Sequence, residues 1–309
     1  MKLLVTGASG FVGTHLVRHL ADAGHQVTGL VRRAGSVTDE RAEEVVADLL
    51  DDTAVADAIE RTNPEGIFHL GAPETSVGAS WKHPEETRDQ NLRSVLSVLE
   101  GAKRLGAPPK ILLVSSSEVP GAVEKQPMAE DVPANPANPY AESKHAAEQA
   151  ALRFRELPIV VVRPFNHIGP GQSDSFAIPN WARQIAGIEV AGESGMVKVG
   201  NLDTKRDFTD VRDMVTAYEL LMSDGAAGEI YHAGSGKSHS LREILDWLIE
   251  LSTATIEVVL DSERQRPNDI PEQRSDSTKL RQLGWEPRIE LKQTLRDILD
   301  EAREKVTKG

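Results

Sequence analysis

Residues 2–6 (KLLVT) form a short apolar run that ends at once in a cluster of glycines, Gly7, Gly10 and Gly13 in TGASGFVG. Beyond the cluster Phe11, Val12, Leu16, Val17 and Leu20 recur at helical spacing. A strand that turns within a few residues into a helix leaves few architectures open. Glycine accepts the backbone angles and close approaches of such a turn, and a helix start offers free N–H groups that favour an anion. The alternation then repeats. Further apolar runs fall at 26–31, 44–47, 66–70, 110–115 and 158–163, with intervals at 52–62, 85–106 and 140–156 long enough for helices. Parallel strands joined by helical crossovers produce this pattern, and strands buried on both faces read as continuously apolar, as ILLV and IVVV do. The spacing predicts an α/β fold, a Rossmann-type doubly wound parallel sheet, over residues 1–164.

After residue 164 the pattern loosens. RPFNHIGPGQSD reads as a Gly/Pro/Asn loop, and helices are suggested at 178–187, 211–223, 240–252 and 289–306 with short strands between them. We expect a smaller, discontinuous C-terminal substrate lobe over 165–309, with parts of 200–235 returning to the sheet. With 309 residues, 39% apolar and 27% charged, the chain has enough apolar material for a real core. Thirty-five Lys and Arg against 48 Asp and Glu leave a net charge of −13, which opposes nucleic acid, so an anionic ligand must be met by local arginines. The absence of cysteine removes disulfides, thiolate metal sites and a Cys nucleophile, and fits a reducing cytoplasm. No run approaches the roughly 18 apolar residues of a membrane span, and the opening run breaks too early for a secretory leader.

A glycine triplet between a first strand and a first helix suits the pyrophosphate of a dinucleotide. A carboxylate about 20 residues further on would bind the ribose hydroxyls of NAD. Here the position reads Val31-Arg32-Arg33, and guanidinium groups suit the 2′-phosphate of NADP, although Arg33 is equally read as an ordinary solvated side chain. Asp48, after the third strand, could accept from the adenine amino group or cap a turn. Tyr140 and Lys144 follow Asn138-Pro139, a plausible helix start, and at i and i+4 they share one face. An ammonium beside a phenol favours the phenolate, so such a tyrosine can exchange a proton with a substrate oxygen near neutral pH. Neither Tyr218 nor Tyr231 has a lysine four residues on. Ser115, Ser116 and Ser117 end the fifth strand, either as substrate hydrogen-bonders or as a polar strand end.

T-G-x-x-G-F-x-G, the serine-rich strand end, Y-x-x-x-K and R-P-F-N together resemble the extended short-chain dehydrogenase/reductase family of nucleotide-sugar epimerases, dehydratases and reductases. The similarity covers nearly the whole chain, and FNHIGPGQ (165–172), KVGNL (198–202) and RDFTDVRD (206–213) are most similar to its GDP-mannose branch. The resemblance implies Ser116, Tyr140 and Lys144 as catalytic residues, with Glu118 standing where a 4,6-dehydratase carries the glutamate of its elimination step. It implies Gly7, Gly10, Phe11, Val12, Gly13, Arg32, Asp48, Leu49, Gly71, Tyr140 and Lys144 at the cofactor, with His69 and Ala72 in the same fourth-strand loop. Asn166 matches a substrate-side asparagine, and Arg206 and Arg266, about 60 residues apart, match arginines that hold the substrate diphosphate. Pro120 departs from the tyrosine usual there.

The implied activity is NADPH-dependent reduction of a GDP-4-keto-6-deoxy sugar, with NAD a possible cofactor. A GDP-mannose 4,6-dehydratase or a 4-epimerase is the first alternative, and a non-catalytic NADP-sensing protein, which would typically lose the Tyr/Lys pair, the second. A cytoplasmic homodimer acting on a nucleotide-diphosphate sugar, without nucleic acid or membrane partners, is expected. His15 and His19, at i and i+4, could bind a metal from one helix face, but no glutamate follows His15 as in H-E-x-x-H and no metal is expected. His167 is read as tethering its loop. Leu92, Val95, Leu96 and Leu99 are read mostly as core, with any residual stripe on helices 85–106 and 140–156 available for pairing two subunits.

Overall fold

The opening run forms β1 (Lys2–Thr6), and the chain turns through the glycines into α1 (Phe11–Asp22). The computed structural model describes residues 1–71, 77–192, 194–261 and 270–308. β2 (Gln26–Val31) and β3 (Glu43–Val46) extend the sheet to one side of β1. Helix α2 (Asp52–Thr62), capped by the Asp51 carboxylate, carries the chain back across to β4 (Gly66–His69) on the other side of β1. The short α3 (Val77–Ser80) and the long α4 (Pro84–Lys103) lead to β5 (Lys110–Val114), and α5 (Pro139–Ala151) leads to β6 (Ile159–Pro164).

The remaining elements are β7 (Asn166–Ile168), α6 (Ala177–Ala191), β8 (Gly195–Val199), β9 (Lys205–Asp210) and α7 (Val211–Asp224). They continue as β10 (Ile230–Ala233), β11 (Ser238–Ser240), α8 (Leu241–Glu250), β12 (Ile256–Leu260), β13 (Glu272–Gln273), α9 (Thr278–Gln282) and α10 (Leu291–Lys308). β10 returns to pair in parallel with β6, which completes a seven-stranded sheet of order β10-β6-β5-β4-β1-β2-β3. Every pairing in it is parallel. The order reverses between β1 and β4, and ligands of such sheets sit outside the strand ends at that point.

Neighbouring residues of one strand enter opposite cores. Leu3, Val5, Phe68, Leu112 and Val160 pack with α1 and α7, while Leu4, Ile67, Ile111, Leu113 and Val161 pack with α2, α4 and α5. Two-sided burial is the reason these strands lack polar alternation. A third core joins α6, α8 and α10 through Trp181, Ile185, Leu245, Leu248, Leu295 and Ile298. Between this lobe and the sheet, β9 pairs in parallel with β7 and β13 and antiparallel with β11. α6 runs four residues past its expected end, to a left-handed Gly192, and α3 and α9 had no strong periodic signal. Among the described residues no helix is long and apolar enough to cross a membrane.

Candidate active site

The glycine turn is built by close backbone contact. Gly7 has φ +69°, and a Cβ there would lie 3.1 Å from the backbone of Gly71 at the exit of β4. A Cβ on Gly13 would lie 2.1 Å from the Gly7 carbonyl oxygen, so no larger residue fits. Gly10 stands at the N-cap of α1, whose first turn has neither a capping side chain nor an acidic residue. These free N–H groups fit a pyrophosphate. Phe11 and Val12 are half-buried behind them. Leu49 is buried and closes over Gly71.

Arg32 and Arg33 are both exposed immediately beyond β2. The segment that follows folds back because Gly35, Ser36 and Val37 donate their backbone N–H groups to the Glu44 carboxylate at 2.7, 2.9 and 3.0 Å. These donors, that of Val37 first, hold the carboxyl below its usual range. Asp48 is exposed, and its Oδ1 accepts from Leu50 N at 3.0 Å, so one oxygen already serves the turn.

The chemistry-bearing groups meet at the ends of β4 and β5. Lys144 is 8% exposed and donates from Nζ to the Val114 carbonyl at 3.1 Å. The same Nζ lies 5.8 Å from the centre of the half-buried Tyr140 ring. Burial pushes the Lys144 ammonium down to about 8, against the opposing charge of Glu148. Gly71, Asn91, Ser115 and Lys144 line one small cavity. Ser116 is buried and its Oγ accepts from Glu118 N at 3.1 Å; Ser117 donates its own N–H to Pro164 O. The Glu118 carboxylate accepts from Asn138 Nδ2 at 3.0 Å, and Asn138 Oδ1 in turn caps α5 by accepting from Ala141 N at 2.8 Å. His69 is buried, with Nδ1 2.9 Å from Thr6 Oγ1, which also accepts the Gly71 N–H. Burial, with the Lys144 charge second, pushes this imidazole down to about 3.

Of the residues expected at the substrate, Asn166 is exposed at the start of β7. Arg206 is half-buried on β9, and its NH1 donates to the carbonyls of Ile270 at 2.7 Å and Lys205 at 2.9 Å. Arg266 and Ala72 lie outside the described residues, so the structure leaves the expected pairing of two arginines open. The neighbouring Asp207 is fully buried and takes the N–H groups of Ser235, Gly236 and Ser275, which fastens β9 to two later loops. His167 donates from Nδ1 to Phe165 O at 3.0 Å and stacks on Phe11, tying the 165–172 loop to the start of α1. Pro120 is buried ahead of Gly121.

His15 and His19 do not converge: His15 Nε2 meets Pro170 O at 2.8 Å and His19 Nε2 meets Glu219 at 2.7 Å. On α4 Val95 and Leu99 are buried while Leu92 and Leu96 are half-buried. Two groups near the site escaped the sequence reading. Glu148 and Arg163 form a buried bidentate pair at 2.8 and 2.7 Å between α5 and β6. Asn91, 2% exposed inside α4, donates to Ser143 Oγ at 2.9 Å. An asparagine in a helix interior carries a propensity cost, which was the available signal.

Comparison with known proteins agrees with this architecture. The family model described as GDP-mannose 4,6 dehydratase matches residues 4–298. GDP-6-deoxy-D-mannose reductase of Pseudomonas aeruginosa is 36% identical over 99% of this chain and 98% of its own length. Human GDP-mannose 4,6 dehydratase is 28% identical, covering 96% of this chain and 90% of its own. The structure of RMD from Pseudomonas aeruginosa complexed with NADPH superposes with a TM-score of 0.88 at 34% identity, covering 99% of this chain and all of that one. The chain belongs to the GDP-mannose 4,6 dehydratase family, within the extended short-chain dehydrogenases/reductases that its motifs resemble.

Proposed function

We propose that the chain reduces a GDP-4-keto-6-deoxy sugar with NADPH. The observation that carries this reading is the buried Lys144 beside Tyr140 at the end of β5, in a chain similar along its whole length to a GDP-6-deoxy-D-mannose reductase. The residues present fit the cofactor: the turn at Gly7 and Gly13 leaves no room for a side chain, and Arg32 and Arg33 stand exposed where a 2′-phosphate would lie. When bound, NADPH supplies a hydride to C4 of the sugar. Tyr140 gives its hydroxyl proton to the C4 oxygen, so the carbonyl becomes an alcohol. Lys144 stabilises the phenolate that remains, until a proton from water restores it. Ser116 spends one oxygen lone pair on Glu118 N, and its own O–H holds the substrate oxygen. Asn166, Arg206 and Arg266 bind the sugar nucleotide.

The same reading assigns dinucleotide binding to residues 1–164 with parts of 200–235, substrate binding to the rest, and a cytoplasmic homodimer to the whole; NAD is the alternative cofactor. A 4,6-dehydratase is the second reading, favoured by Glu118 near Ser116. The test is to incubate the protein with the keto sugar plus NADPH, and separately with GDP-mannose alone. One NADPH oxidised per keto sugar consumed supports the reductase. A 4-keto-6-deoxy product from GDP-mannose without net cofactor oxidation replaces it with the dehydratase.

A further inference from the structure

Glu118 is half-buried just beyond β5 and is held in two directions. Its backbone N–H donates to Ser116 Oγ at 3.1 Å, and its Oε2 accepts from Asn138 Nδ2 at 3.0 Å. Asn138 is 8% exposed and stands at the N-cap of α5, two residues ahead of Tyr140. An ionised carboxylate only accepts and a backbone N–H only donates. Glu118 on one side and Ala141 N on the other therefore leave the Asn138 amide a single orientation, nitrogen toward Glu118 and oxygen toward the helix. Without the carboxylate, Asn138 Nδ2 loses its acceptor and the amide is held on one side only, by the Ala141 N–H, so the start of α5 is less firmly fixed.

We infer that Glu118 is a positioning residue, whose carboxylate orients Asn138 at the start of α5 and whose backbone N–H orients Ser116, so that one residue aligns both hydroxyls facing the substrate oxygen. The inference deepens the reductase reading and rests on it for the reaction in which the alignment is felt. It also separates this chain's use of the glutamate from an acid or base role. A carboxylate engaged with Asn138 is aimed at the helix that carries Tyr140.

The test compares Glu118→Gln, Glu118→Ala and Asn138→Ser with the wild type. NADPH affinity, kcat and KM for the keto sugar are measured from pH 6 to 9, and far-UV circular dichroism checks the fold. Glutamine keeps an oxygen that can accept from Asn138, so its kcat is expected within about threefold of wild type with an unchanged pH profile. Alanine is expected to lower kcat by about 10²-fold, the effect of a misplacement near 1 Å, with NADPH affinity and KM preserved. Serine at 138 still caps the helix but cannot engage Glu118, and adding Glu118→Ala to it is expected to cost nothing more. Glutamine as inactive as alanine, or loss of a limb of the pH profile in the glutamine variant, overturns the inference in favour of proton transfer by Glu118. Full kcat in the alanine variant overturns it as well. Failure of the reductase reading is seen separately, in the wild type: if GDP-mannose alone is dehydrated, the glutamine-to-alanine comparison is made on that reaction and still decides the role of Glu118.

Discussion

Replacing Glu148 by glutamine keeps the side-chain volume and removes the countercharge of a guanidinium that is 4% exposed. In the native chain Arg163 donates from Nε and NH2 to the two oxygens of a fully buried carboxylate, and its NH1 has no partner among the described residues. Removing one member of a buried pair costs about 3–5 kcal/mol, because the other charge stays buried and uncompensated. With an unfolding entropy of about 2.1 cal/mol/K per residue, a chain of 309 residues loses about 5–8 °C of melting temperature for that energy. A second consequence reaches the chemistry. Glu148 lies one helical turn from Lys144 and raises the pKa that burial lowers to about 8. In the variant Lys144 discharges at lower pH, so the alkaline limb of kcat moves toward acid. His145 Nδ1, 3.9 Å from the same carboxylate, is too far for a hydrogen bond and does not replace Arg163. Differential scanning calorimetry reads the first effect and a pH–rate profile the second. The double variant Glu148→Leu/Arg163→Met separates them: an apolar pair restores the melting temperature while the limb stays shifted. An unchanged melting temperature in Glu148→Gln, or an alkaline limb that stays in place, refutes the reasoning.

Tyr140→Phe is expected to keep the fold and NADPH binding and to lose about 10²–10⁴ in kcat, as for a general acid; activity within a fewfold of wild type removes Tyr140 from proton transfer. Arg32→Ala is expected to weaken NADPH by about tenfold or more and leave NADH unchanged, the loss of one charge-assisted bond to phosphate, read by fluorescence titration of both cofactors. Stability is expected to fall on acidification, because burial holds His69 down to about 3 and His232 to about 4, against an ordinary value of 6.5. Both bind protons in the unfolded chain first, so their contribution is intact above pH 6.5 and is lost as pH falls toward their folded values. From pH 7 to 5 this is about 2 kcal/mol for each, and His69→Asn is expected to flatten the fall in urea midpoint by its share.

The sheet was legible because its strands are apolar on both faces: Leu3 and Leu4, or Ile111 and Leu112, enter different cores and leave no polar alternation to mislead the eye. The glycine turn was legible for a steric reason, since the 2.1 Å between a Cβ at Gly13 and the Gly7 oxygen forbids any other residue. Tyr140 and Lys144 were legible because helix geometry alone puts them on one face. What the sequence hid is whatever depends on register between elements. Arg163 reads as a strand-end charge until β6 is packed on α5, and Glu44 reads as a solvated strand residue until three backbone donors fold onto it. The lobe beyond residue 164 was read only in outline because β9 takes its partners from segments near 166, 238 and 272, pairings with no local signal.

Helix α5 is fastened on three sides around Tyr140 and Lys144, the two residues proposed to react. Asn138 fixes its start through Glu118, Asn91 holds Ser143, whose hydroxyl donates to the Tyr140 carbonyl, and Glu148 holds Arg163 of β6. Lys144 completes the set by reaching Val114 O on β5. Such bonds hold a site near its productive geometry before substrate arrives. They also set its charge. Burial pushes Lys144 toward the neutral amine, whereas an exposed lysine would keep an amine's ordinary pKa of 10.5 and a fully hydrated ammonium. With burial opposed by Glu148, the pKa near 8 leaves the ammonium about nine-tenths charged at pH 7. In that state it would stabilise a Tyr140 phenolate, the more so because the ammonium itself is buried. The carboxylate that anchors the helix to β6 thus also opposes the discharge of its lysine.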